Sequence, residues 1–136
     1  MLTFVDTNVF LRLAVQADDD NQQMRLAKEF FEQAQAGNLN LVTGPPVFFE
    51  IAWVLDRLYK RTNSEILGFL EAITSFSNLK VLDKELVITA ISLARETKGT
   101  FADSYIAASA RSAQADNVAT FNKKHFVSLG VDMYPF

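Results

Sequence analysis

The chain has 136 residues, 49 % hydrophobic and 21 % charged, with a net charge of −3. That is enough for one compact domain over residues 1–136, and too acidic for a generic nucleic-acid coat held by many Lys and Arg contacts. It has no cysteine and one histidine, His125, which excludes disulfides, thiolate metal sites and any site needing two histidines from this chain. No apolar run approaches the ~20 residues of a membrane span, and the N-terminus lacks the basic region of a signal peptide, so a soluble, cytoplasmic protein is expected.

Short β-like runs alternate with helical patterns along the chain. "LTFV", from Leu2 to Val5, reads as a buried strand; "LNLVTG" and "LKVLD" read as two more, with weaker strands at "NVATF" and "VDMY". Residues 21–36 place Leu26, Ala27, Phe30, Phe31 and Ala34 on one helical stripe, which Gly37 and Asn38 end. "GPPVFFEIAWVLDRLYKR" opens with prolines suited to a first helical turn. Thr62-Asn63-Ser64-Glu65 fits a capping box. Asp83 suits the cap of a helix carrying Leu86, Val87, Ala90, Ile91 and Ala94, and Lys98-Gly99 ends it; "FADSYIAASARSAQA" is a further helix. Strands alternating with helices imply an α/β fold with a parallel sheet covered on both faces. Ligands in such folds bind beyond the carboxyl ends of the strands.

Asp6 directly follows the first strand. Its simplest role is an N-cap, with its side chain bonding the amide of Asn8 or Val9. Glu50 stands in "VFFEIAWVL" with Pro46, Val47, Trp53 and Val54 at the helical spacings around it, so no Lys or Arg offers a local ion pair. A lone carboxylate buried there would be costly. It therefore reaches the surface along a helix edge, pairs with a distant Arg, or faces a bound cation. Asp103 fits a capping box with Thr100, in the place usually taken by Glu or Gln. Ala107, Ala108 and Ala110 allow the following helix to pack closely. Thr120 and Asn122 have a plain reading as turn residues, Asn122 before a short helix.

Three carboxylates distant in sequence can meet at one edge of a parallel sheet. Clustered carboxylates repel, so such a site needs a divalent cation, and oxygen-only ligands select Mg²⁺ or Mn²⁺ over zinc. Other charges read as solvated: Asp18-Asp19-Asp20 in a loop and helix start, Asp56, Glu71 and Glu85 on exposed helical positions, and Lys123, Lys124 and His125 on the surface near Asn122. There these last three can form a rim for phosphates, with His125 as a candidate general base.

The ordered set "VDTNVFLRL", "PPVFFEIAWVL", "TFADSYIAASA" and "VATFNKKHF" resembles the PIN domain family, and within it the VapC-type toxins of toxin–antitoxin pairs. The likeness spans nearly the whole chain. It implies a three-layer α/β/α sandwich with a mainly parallel sheet, and a Mg²⁺- or Mn²⁺-dependent endoribonuclease that hydrolyses RNA with a metal-activated water to leave 5′-phosphate and 3′-hydroxyl ends. The family's metal ligands map onto Asp6, Glu50 and Asp103. Its Thr and Asn after the first acid map onto Thr7 and Asn8, which orient the carboxylate and water, and the Thr of its fourth motif maps onto Thr120. A homodimer and a cognate antitoxin are implied as partners; Arg12, Lys123 and Lys124 lie near these motifs as candidate RNA contacts. The fourth motif often reads Thr-Phe-Asp, whereas this chain has Asn122, an acceptor without charge that disfavours a second metal. Some relatives also carry an acid at the place of Thr100. An inactive PIN-like module that binds RNA or protein is the alternative reading. A receiver-like signalling domain would need an acidic pair before its first helix, where only Asp6 stands.

Overall fold

The computed structural model describes residues 1–15 and 21–136. Asp18, Asp19 and Asp20 lie outside the described residues. The order is β1 (Leu2–Phe4), α1 (Thr7–Ala14), α2 (Asn21–Gln35), β2 (Asn40–Thr43), α3 (Pro45–Arg57), α4 (Asn63–Thr74), β3 (Leu79–Val81), α5 (Lys84–Thr97), α6 (Phe101–Ser112) and α7 (Lys123–Phe126), followed by a 3₁₀ turn, Val127–Leu129. The three strands pair in the order β1-β2-β3, all parallel, with Thr3 opposite Leu41 and Leu41 opposite Leu79. Parallel neighbours require crossover connections, and the intervening helices supply them, flanking the sheet as an α/β/α sandwich. Among the described residues no helix is long and apolar enough to cross a membrane.

Local sequence accounts for most helix ends. Pro45 and Pro46 occupy the first turn of α3, where a missing amide hydrogen costs nothing. The Thr62–Glu65 capping box is complete: the Glu65 amide donates to Thr62 Oγ1 at 3.2 Å, and the Thr62 amide donates to Glu65 Oε1 at 3.1 Å. Gly37, at φ +86°, closes α2 as its amide donates to the Ala34 carbonyl. Asp83 departs from expectation. It precedes α5 but has left-handed backbone (φ 52°), and its side chain makes no capping bond. An N-cap needs extended backbone to aim its oxygen at the helix amides, and left-handed geometry turns it away.

The main core gathers Phe10, Phe48 and Phe101 with Leu41, Ile51, Leu67, Leu70 and Val87. Phe31 bridges Phe10 and Phe76 at ring distances of 5.3 and 5.4 Å. Much of the phenylalanine excess is therefore core, while Phe121 and Phe136 stack on each other at 4.5 Å with both rings exposed. A smaller cluster joins Leu93, Ala107, Phe126 and Leu129, with Val118, Val131 and Met133 against it.

Three expectations about burial and strands are corrected. β1 is not a buried strand: Leu2 is 61 % and Phe4 55 % exposed, whereas Leu79 and Val81 of β3, the other edge strand, are buried, so the outer face of β1 lacks the helix packing that covers β3. Val5, just past the strand, is its contribution to the core. "NVATF" and "VDMY" form one isolated parallel bridge, Val118 with Met133, rather than strands of the sheet. Leu26 is exposed, although Ala27 and Ala34 of the same stripe are buried. A stripe five residues wide exceeds the face that α2 buries.

Phe48→Ala removes a fully buried ring and should cost about 3–5 kcal/mol; Thr62→Ala should cost about 1 kcal/mol. Both are read from urea denaturation. The Glu65 carboxyl lies below its ordinary range, first because of the Thr62 amide, then the Thr62 hydroxyl. Its contribution is therefore whole above the unfolded carboxylate pKa and vanishes as pH falls through the lower folded value. The stability gap between the protein and Glu65→Ala should close on acidification.

Candidate active site at the carboxyl edge of the sheet

The first two strands set the frame. The Val5 amide donates to the Val42 carbonyl at 2.8 Å, and the buried Thr43 hydroxyl donates to the Val5 carbonyl at 3.1 Å. Asp6 follows immediately as the N-cap of α1. It accepts from the Thr7 amide at 2.7 Å, rather than from the amides of Asn8 or Val9. The capping bond holds the carboxylate at the helix start, where the dipole favours negative charge. Thr7 is buried and Asn8 exposed.

α3 begins one residue after β2. Glu50, in its second turn, is exposed, so it reaches the surface as the helix-edge reading expected. Among the described residues it has no ion pair or hydrogen bond. It lines an apolar groove of about 950 Å³ with Pro46, Phe49, Trp53, Thr100 and Phe101. Phe101 is buried and contacts Phe49 and Phe48 at ring distances of 5.2 and 6.3 Å, which ties the start of α6 to α3. Tyr105, one turn on, meets Phe49 edge-on at 5.0 Å. Burial pushes the Tyr105 hydroxyl pKa up, and the negative charge of Asp83 adds to the rise.

Asp103 stands in the first turn of α6. Its amide donates to Thr100 Oγ1 at 3.2 Å, half of the expected capping box. The carboxylate does not return to Thr100. Its Oδ2 lies 3.3 Å from His125 Nδ1. Thr120 Oγ1 accepts from the Asn122 amide at 3.0 Å, which is turn chemistry. Asn122 precedes α7 without a side-chain capping bond. Lys123, Lys124 and His125 are exposed, and Arg12 is half-buried beside Asn8 in a shallow groove between α1 and α2.

The fold thus joins Glu50 to the Thr100–Phe101 corner, Asp103 to His125, and Asp6 to the β1–β2 junction. It does not gather all three carboxylates: among the described residues no three Asp, Glu or His side chains stand together closely enough to hold a metal ion. Their chemistry, oxygen donors alone, suits a hard divalent cation. Ser104 Oγ, buried beneath this corner, has no hydrogen-bond partner among the described residues. The contact that sequence reasoning underrated is His125 with Asp103. The available signal was Phe126, an apolar anchor directly after the histidine.

A parallel α/β sandwich with carboxylates at its carboxyl edge defines the class of protein. The PIN domain matches residues 3–130, and the chain belongs to that family. PIN domains are generally metal-dependent nucleases, and they typically bind divalent metals. No curated protein matches the chain.

Trp53 is the one tryptophan of the chain and is 58 % exposed on the groove wall. Its fluorescence should be that of a solvated indole, efficiently quenched by acrylamide; blue-shifted, protected emission would show the groove covered. Tyr105 should ionise above free tyrosine in an absorbance titration, and Asp83→Asn should bring its pKa down.

Proposed function

We propose that the protein is a Mg²⁺- or Mn²⁺-dependent endoribonuclease, the toxin of a VapC-type toxin–antitoxin pair. The observation that supports the reading is that Asp6 caps α1 directly after β1, Glu50 is exposed in the second turn of α3 and Asp103 stands in the first turn of α6, these being the residues that match the family's acids. Glu50 in particular is an exposed carboxylate on an apolar wall with no cationic partner among the described residues. Asp6, Glu50 and Asp103 would hold one cation. Glu50 is a long side chain at an exposed position, which would let it reach a cation shared with the other two. When bound, the cation supplies Lewis-acid polarisation of the phosphate and a more acidic water.

The chain's own residues do the rest. The capping bond from the Thr7 amide keeps the Asp6 carboxylate pointed. Asn8 and Thr120 offer neutral hydrogen-bonding groups that orient water and phosphate without adding charge. Arg12, Lys123 and Lys124 supply the positive rim that an acidic chain needs to meet RNA. Asn122 brings no negative charge to the fourth motif, which supports one cation rather than two. A cognate antitoxin would cover the apolar groove, and a homodimer and a cytoplasmic location complete the proposal.

The second reading, a PIN module that binds RNA or protein without cutting, is favoured by Asn122 and by the ungathered carboxylates. The two separate on structured RNA. The purified protein should cleave with Mg²⁺ or Mn²⁺ and stop with chelator, and Asp6→Asn, Glu50→Gln and Asp103→Asn should each lower kcat by at least about a hundredfold. Cleavage that survives chelation sinks the metal-dependent reading; binding without cleavage across several RNAs establishes the second.

A further inference from the structure

α7 is a single turn, and Phe126 anchors it. That ring is buried in the smaller core with Leu93, Ala107 and Leu129. Ala107 lies four residues after Asp103, so the two share one face of α6, one turn apart. Seating Phe126 beside Ala107 brings the preceding residue, His125, to the first turn of α6. There Nδ1 stands 3.3 Å from Asp103 Oδ2. The His125 amide donates to the Asn122 carbonyl at 3.0 Å and closes the turn that carries it. A carboxylate only accepts, so Nδ1 carries the hydrogen. Asp103 Oδ1 takes no hydrogen bond from the described residues.

We propose that His125 is a positioning residue: its Nδ1–H holds Oδ2 of Asp103 and leaves Oδ1 to the cation. The inference rests on Asp103 being a metal ligand, as argued above. Carboxylates that bind metals are commonly fixed by a second partner, whose loss weakens the metal. Asn122, which precedes α7 with no side-chain capping bond, brings no charge, and the contact of this turn with Asp103 is made by His125. A half-exposed polar contact does little for stability, and this separates a positioning role from a structural one.

The experiment compares the purified full chain with His125→Asn, whose amide nitrogen replaces Nδ1–H, and His125→Phe, which keeps the ring without the donor. Mn²⁺ affinity is read by calorimetry, alongside Tm and RNA cleavage. His125→Phe should bind Mn²⁺ about 10–100-fold more weakly at unchanged Tm, and His125→Asn should recover most of the affinity. Parent-like Mn²⁺ affinity in His125→Phe overturns the proposal and leaves the metal site standing; so does an equal loss in both variants. A parent chain without saturable Mn²⁺ binding, or undiminished binding in Asp103→Asn, overturns the metal reading itself and His125 with it.

Discussion

The carbonyl of Val5 accepts the Thr43 hydroxyl at 3.1 Å, while the Val5 amide donates to Val42 at 2.8 Å. These two bonds fasten the end of β1 to the end of β2 with the strands running the same way. Parallel pairing then forces each chain segment to cross back before the next strand begins. As a result the first two strands deliver their helices at one edge: α1 starts at Thr7 and α3 at Pro45. Asp6 stands just past that edge, and Glu50 follows in the second turn of α3. A slip of one residue in the β1–β2 register would reverse the faces of Val5 and Thr43 and dissolve the arrangement.

Apolar contacts then place the third acid. Phe101 is wedged against Phe48 and Phe49, so the first turn of α6 cannot leave α3 without opening a large cavity. Asp103 belongs to that turn, and Phe126 brings His125 to it from the far end of the chain. The carboxylates thus sit on rigid supports, yet they are not drawn into one cluster.

Much of the local structure was legible in the residues because its causes are local. The Thr62–Glu65 box, the prolines of α3 and the glycine after α2 act within a turn, and each works as expected. Failures came where a neighbour decided the outcome. Asp83 is a favourable capping residue, but the turn leaving β3 imposes left-handed backbone on it. "LTFV" has the composition of a buried strand, yet its exposure depends on what packs over its faces. "NVATF" has strand propensity but found one bridge partner in Met133. Propensity describes a residue's fit to a pleated surface, and cannot supply the surface.

The site divides in the same way. Residue order alone carried the likeness to the family and marked Asp6, Glu50, Asp103 and the neutral Asn122 as candidates, since short motifs at fixed places survive without coordinates. It also determined that Glu50 has no cation within a helical turn. Only the tertiary structure decided that Glu50 is exposed on an apolar groove, that Asp6 is held by the Thr7 amide, and that Asp103 meets His125. The last pair is separated by 21 intervening residues. Its meeting depends on where one buried phenylalanine seats against one alanine, a packing fact that no local pattern encodes.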